Sequence, residues 1–174
     1  GFECSGQFTT LGGLTLPNVE LYEQTYPVRI DKQELRCDAG GPGQYRGGAS
    51  VDYEAEIFVP TQHSIRAEGV GKPTGFGTNG GMEGAKGSLR VAENGGPFEP
   101  MPHYDVRYVG PMRAIVEGTA GGGYGDPKLR EPSAVLRDVR GGLVSLTAAR
   151  EIYGVAIAAD GRSVDMAATR ELRA

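Results

Sequence analysis

Two runs of glycine restrict what this chain can become. Residues 38–48 read D-A-G-G-P-G-Q-Y-R-G-G and residues 119–126 read T-A-G-G-G-Y-G-D. Five glycines in eleven residues make helix or regular strand costly there, because glycine loses more backbone freedom on ordering than any other residue. A third stretch, 69–87, is also glycine-rich but has no repeating unit. Glycine and proline together make 29 and 11 of 174 residues, just under the density that marks low-complexity chains. The glycines are therefore expected at positive φ, in tight turns where two parts of an ordered body meet.

Between the glycine runs the pattern is that of strands. Residues 50–59 alternate, with Val51, Tyr53, Ala55 and Ile57 on one face and Asp52, Glu54 and Glu56 on the other. Residues 28–31 and 33–36 alternate more weakly, as half-buried strands do. The segment 63–68 is expected to pair with 50–59, using 60–62 as the connection. Residues 88–91, 106–109 and 114–117 read as short strands, and 94–102 as a turn or exposed excursion. Before these, Val19, Tyr22 and Tyr26 suit a short helix that stops ahead of Pro27.

After Pro127 the texture becomes helical. Pro132 fits a first helical position, and Val135, Leu136 and Val139 form an apolar stripe halted by Gly141-Gly142. Ser145 is an N-cap for a helix over 146–153 with Gly154 behind it, and Asp165 caps a last helix through Leu172. Residues 155–158 read as a short strand, with a turn at Asp160-Gly161. The expected fold is mainly β (α+β): a glycine-rich antiparallel body over 1–127 with a short helical C-terminal tail, 128–174, packed on it.

Charge and composition exclude several functions. A net charge of −4 argues against a general nucleic-acid binder, which needs a basic face for phosphates. No run approaches the ~20 apolar residues of a membrane span, and a cytoplasmic location is expected. Two cysteines, Cys4 and Cys37, and two histidines, His63 and His103, are too few for a disulfide scaffold or a four-ligand zinc site. The cysteines read as buried thiols. His103, beside Asp105 in a proline-flanked loop, reads as exposed rather than metal-bound.

The glycine runs could in principle cradle a phosphate, yet neither matches G-x-x-x-x-G-K-[ST], and neither lies between a buried parallel strand and a long helix. Arg46 could clamp a carboxylate or phosphate with its guanidinium, or pair with an acid of its own chain such as Asp38, the reading preferred here. There is no G-x-S-x-G elbow and too few histidines to form a triad. No catalytic residue and no metal ligand stands out.

Several stretches, taken in order, carry a resemblance. They are Asn18-Val19-Glu20 with Glu23 and Pro27; residues 38–48; Gly75-Phe76-Gly77 with Gly80-Gly81; residues 119–127; and the tail pieces 135–139, 142–145, 148–150 and 153–155. Together they resemble the C-terminal third of the hydantoinase B/5-oxoprolinase family, which includes the corresponding subunit of acetone and acetophenone carboxylases. Ala39 and Ala120 depart from the usual serine and glycine or proline of the pattern. Family members are about three times longer than this chain.

The resemblance implies a C-terminal segment or small subunit, separately encoded or cleaved, of a heteromeric enzyme. Its expected partners are the N-terminal portion of the hydantoinase-B-like subunit and a hydantoinase-A-like ATP-binding subunit, with no nucleic acid and no membrane. ATP and a divalent metal are expected on those partners, not on this chain. The implied chemistry is ATP-dependent hydrolysis of a hydantoin or 5-oxoproline ring. The alternatives are ketone carboxylation and a non-catalytic assembly role. The residues expected to form ordered loops at the junction are Gly40, Gly41, Gly43, Arg46, Gly47, Gly48, Gly121, Gly122, Gly123, Tyr124 and Asp126. A separate possibility is a small-anion binder that uses the same loops.

Overall fold

The structure, a computed structural model, describes residues 18–67 and 69–174. The first element among the described residues is helix α1 (Val19–Thr25), whose first turn is capped by Asn18 accepting from the Leu21 amide at 3.1 Å. It stops before Pro27, as expected. Strand β1 (Val28–Arg36) joins the two half-strands read from the sequence into one, with a register shift between Ile30 and Lys32. Glu23 of α1 reaches back to accept from the Ile30 amide at 2.6 Å, so a helix side chain satisfies a donor on this edge strand.

β2 (Ser50–Ile57), β4 (Ser88–Glu93), β5 (Glu99–Pro100) and β7 (Met112–Glu117) complete a five-stranded antiparallel sheet in the order β1-β2-β7-β4-β5. β3 (Thr61–Arg66) does not pair with β2, contrary to the expectation from its sequence neighbourhood. It pairs instead with β6 (Tyr104–Val109) in a separate two-stranded ribbon. The reason lies in competition for β2: its two edges are taken by β1 and β7, leaving no ladder for β3.

The ribbon lies over one face of the large sheet. Ile65 and Val109 from the ribbon pack with Val91, Met101 and Met112, flanked by Ile57, Leu89 and Ala114. Each fully buried aliphatic side chain of this kind contributes about 1.5–3 kcal/mol. The opposite face of the sheet is charged and laced with ion pairs, among them Arg29 with Glu56 at 2.8 Å and Lys32 with Asp52 at 3.2 Å.

A 3-10 turn (Pro127–Leu129) leads into α2 (Pro132–Arg140), α3 (Leu146–Glu151) and α4 (Met166–Arg173). Ser145 caps α3 by accepting from Ala148, and Asp165 caps α4 by accepting from Ala167 and Ala168, each at 3.0 Å. α3 is shorter than the sequence suggests. The expected strand at 155–158 is reduced to one isolated bridge, Ile157 with Val164. These helices enclose a second core of Val135, Val144, Ala148, Ala149, Tyr153 and Val155. Short helices persist only with such packing.

Candidate functional site

The three glycine-rich stretches come together. Gly121–Gly125 runs through the middle, hydrogen-bonded to 41–45 on one side and to 75–84 on the other. Gly41 N donates to Gly121 O at 2.8 Å, and Gln44 N donates to Gly125 O at 3.1 Å. Tyr45 and Tyr124 exchange both backbone bonds, at 3.0 and 2.9 Å. From the other side Thr78 N donates to Gly123 O, and Gly125 N to Thr78 O, both at 3.0 Å. The bundle closes on itself, because Met82 N donates to Pro42 O at 2.7 Å while Gly123 N donates to Met82 O at 2.8 Å. Gly121 N donates to Gly48 O at 3.1 Å, and Gly47 N to Gly41 O at 2.9 Å.

This arrangement corrects the expected role of the glycines. Gly40, Gly41, Gly43, Gly47, Gly48, Gly121, Gly122 and Gly123 are not at positive φ; among the described residues of the three runs Gly69, Gly80 and Gly125 are. What most of them supply is closeness. A Cβ on Gly41 would lie 2.6 Å from Gly123 N, and one on Gly43 would lie 2.6 Å from Tyr124 N. On Gly47 it would overlap the Gly121 carbonyl, on Gly122 the Phe76 carbonyl, and on Gly123 the Pro42 carbonyl. Gly40 is hemmed in by Gly47 O and by Arg46 Nη1. Three backbones interlock at a separation that no side chain permits. The third segment, 75–84, carries the least regular motif. Its signal in the sequence is Gly75-Phe76-Gly77 with Gly80-Gly81, of which Gly75, Gly77 and Gly81 each face a neighbouring backbone.

The bundle is tied to the helices by a buried charge cluster. The Arg46 side chain is 1% exposed and donates through Nε to Asp138 Oδ2 at 3.3 Å and through Nη1 to Gly47 O at 2.7 Å. Among the described residues its acid is Asp138 on α2, not Asp38. Asp38 accepts instead from the Ser145 amide at 2.8 Å, just ahead of α3. Arg130 places a second guanidinium on Asp138, at 3.1 Å from Nε and 2.9 Å from Nη2, and also donates to Gln44 O. Arg173 of α4 donates to Arg130 O at 2.7 Å and to Tyr153 O at 3.2 Å. Tyr153 lies in the core beneath, its phenol pushed up to about 12 by burial. Removing one partner from such a buried cluster is costly, because it strands the other charge.

The remaining candidates are scattered. Tyr124 presents its ring to solvent, 6.2 Å from that of Tyr45. Asp126 accepts from Lys128 N at 2.8 Å and caps the 3-10 turn. Cys37 is exposed rather than buried, while Cys4 falls outside the described residues. His63 is half-buried; burial and the neighbouring Arg107 guanidinium hold its imidazole below the usual range. His103 is exposed in the loop before β6.

Among the described residues no three of His, Cys, Asp and Glu converge as metal ligands. In the glycine bundle the amides named above donate to carbonyls of neighbouring segments. Chemically the arrangement can position and stiffen a neighbouring surface. No described helix is long and apolar enough to cross a membrane.

Comparison with known proteins agrees with this geometry. Across the whole chain it is 35% identical to the beta subunit of the caprolactamase of Pseudomonas jessenii, covering 31% of that protein. It is 32% identical to the B-type subunit of a putative D-/L-hydantoinase of Pseudomonas sp. NS671, over 89% of this chain and 26% of that one. The crystal structure of the ATP-dependent caprolactamase from P. jessenii superposes with a TM-score of 0.69, at 35% identity over 90% of this chain and 28% of its own. A nucleotide-free acetone carboxylase structure shares the fold at 22% identity and a TM-score of 0.64, with 91% of this chain and 26% of that one covered. The chain thus spans less than a third of the length of these relatives. The sequence model of the Hydantoinase B/oxoprolinase family matches residues 1–127, and the chain belongs to that family.

Proposed function

We propose that this chain is a scaffold portion of a hydantoinase-B-type enzyme that opens a cyclic amide at the expense of ATP. The observation that carries the reading is the 35% identity along the entire chain to a caprolactamase subunit. The 32% identity to the hydantoinase relative adds a second ring amidohydrolase. Ketone carboxylation is the second reading, and its support is the shared fold with an acetone carboxylase structure at 22% identity. In the favoured reading residues 1–127 form a body and 128–174 a helical clamp on it, within a cytoplasmic heteromer. Its companions are the rest of the hydantoinase-B-type subunit and a hydantoinase-A-like, ATP-binding subunit, which would hold the nucleotide and the divalent metal. The contribution of this chain is positional. The glycine bundle, locked by Arg46, Asp138 and Arg130, presents Tyr45, Tyr124 and the neighbouring loops in a fixed geometry at a junction.

The test is to isolate the native assembly through a tag on this chain, identify its companions by mass, and assay it in two ways. ATP-dependent ring opening of hydantoin, 5-oxoproline or caprolactam supports the proposal. ATP-dependent uptake of bicarbonate into acetone or acetophenone overturns it in favour of the carboxylase. Ring opening by the purified chain without companions would overturn the scaffold role.

A further inference from the structure

The β3–β6 ribbon has its polarity the wrong way round for a surface element. Its register sets Tyr108 opposite Gln62, Val106 opposite Ser64 and Tyr104 opposite Arg66, so these six side chains share one face. That face points away from the large sheet, and Tyr108 is 80%, Val106 62% and Tyr104 60% exposed. The inward positions of β6 are occupied by Asp105 and Arg107 before Val109 closes the core. Arg107 reaches across to Glu93 of β4 at 2.9 Å and to Met101 Sδ. A half-exposed antiparallel strand ordinarily places apolar residues inward and charges outward, and a one-residue slip would restore that here. The register instead keeps two tyrosines and a valine facing out. A ribbon with apolar side chains on both faces is the middle layer of a stack, and two strands alone are marginal without cover.

We infer that the outer face of the β3–β6 ribbon, centred on Val106 and Tyr108, is the seam on which the rest of a hydantoinase-B-type subunit packs. The inference rests on the proposed reading of the chain as one portion of such a subunit. Two observations select this occupant. The matched relatives extend over more than three times the length seen here, so a large body of the same subunit accompanies this portion in them. The face is also apolar and tyrosine-rich at its centre with Gln62, Ser64 and Arg66 along its side, the composition of a permanently buried contact. The glycine bundle, by contrast, spends its backbone on internal bonds.

Hydroxyl-radical footprinting of the native assembly and of the purified 174-residue chain tests this. Oxidation of Tyr108 should fall about fivefold or more on assembly. The double variant V106D/Y108S should keep the circular dichroism of the wild type and recover its companions about tenfold less well, the loss typical of a hot spot. Unchanged Tyr108 oxidation in the assembly overturns the inference, as does full recovery of companions by the double variant. Tyr108 already protected in the purified chain also overturns it: protection that grows with concentration means a second copy, and protection independent of concentration means cover by the chain itself. If the face is protected by a hydantoinase-B-type body but the assembly opens no ring with ATP, the functional reading fails and the seam stands.

Discussion

Replacing Gly122 by alanine separates close backbone packing from turn geometry as the reason for the glycines. Gly122 is not in the left-handed region, so a loop glycine there would tolerate alanine and even gain about 0.4–1 kcal/mol from a stiffer unfolded chain. In the bundle the added methyl overlaps the Phe76 carbonyl and lies 2.8 Å from the Gly75 carbonyl carbon. Both neighbours are backbone, so no rotamer change relieves the clash. Moving the segments apart by about 1 Å breaks the bonds from Thr78 N to Gly123 O and from Gly125 N to Thr78 O, each at ~1 kcal/mol. Overpacking strain adds about 1–3 kcal/mol. The sum is about 3–5 kcal/mol, which for a chain of this size lowers Tm by about 6–20 °C. Gly161 provides the control: its φ is +66° and no heavy atom lies within 4 Å of an added Cβ. Alanine there incurs only the left-handed penalty of about 1–2 kcal/mol. Thermal unfolding followed by circular dichroism measures both. A Gly122→Ala protein as stable as wild type, or harmed less than Gly161→Ala, would refute the packing argument.

Other outcomes follow from the buried cluster and the thiol. Asp138→Ala removes the buried carboxylate that faces both the Arg46 and Arg130 guanidiniums and should cost about 3–5 kcal/mol in denaturant unfolding, more than Arg46→Met, which leaves Asp138 with Arg130. Tyr153→Phe should be neutral or stabilising near neutral pH, because the hydroxyl has no hydrogen-bond partner among the described residues. The Tyr153 phenol titrates higher in the folded state, so its contribution is complete below pH 10 and is lost as pH rises toward 12. The phenylalanine variant should therefore lose less stability than wild type between pH 10 and 12, measured by urea midpoints. Cys37 is exposed, yet partial burial and the Asp38 carboxylate hold its thiol up. Peptide mapping should show Cys37 alkylated by iodoacetamide without denaturant, more slowly than free cysteine at pH 8.

Local signals carried much of the fold. Pro132, Ser145 and Asp165 marked their helix starts because a first-turn proline and a side-chain cap act over short range, and the alternation of residues 51–57 marked β2. The partner of β3 was not legible, since pairing is decided by which edges β1 and β7 leave open, a matter of distant segments. The glycine runs were visible as sites, but their physical role was not. A glycine at positive φ and a glycine pressed against another backbone look alike in sequence, and the difference appears only when 41–45, 75–84 and 121–125 are seen side by side. Arg46 pairing with an acid of its own chain was legible, whereas the choice of Asp138 over Asp38 depended on where α2 docks.

Amide hydrogen exchange across the glycine bundle, with and without ATP, tests most directly whether these segments are a rigid framework. The amides of Gly41, Tyr45, Gly123 and Tyr124 should exchange as slowly as the β2–β7 ladder, through global opening, and at the same rate when ATP is added. Rapid exchange at these amides that slows only with ATP would instead make them anion-binding loops and contradict the account.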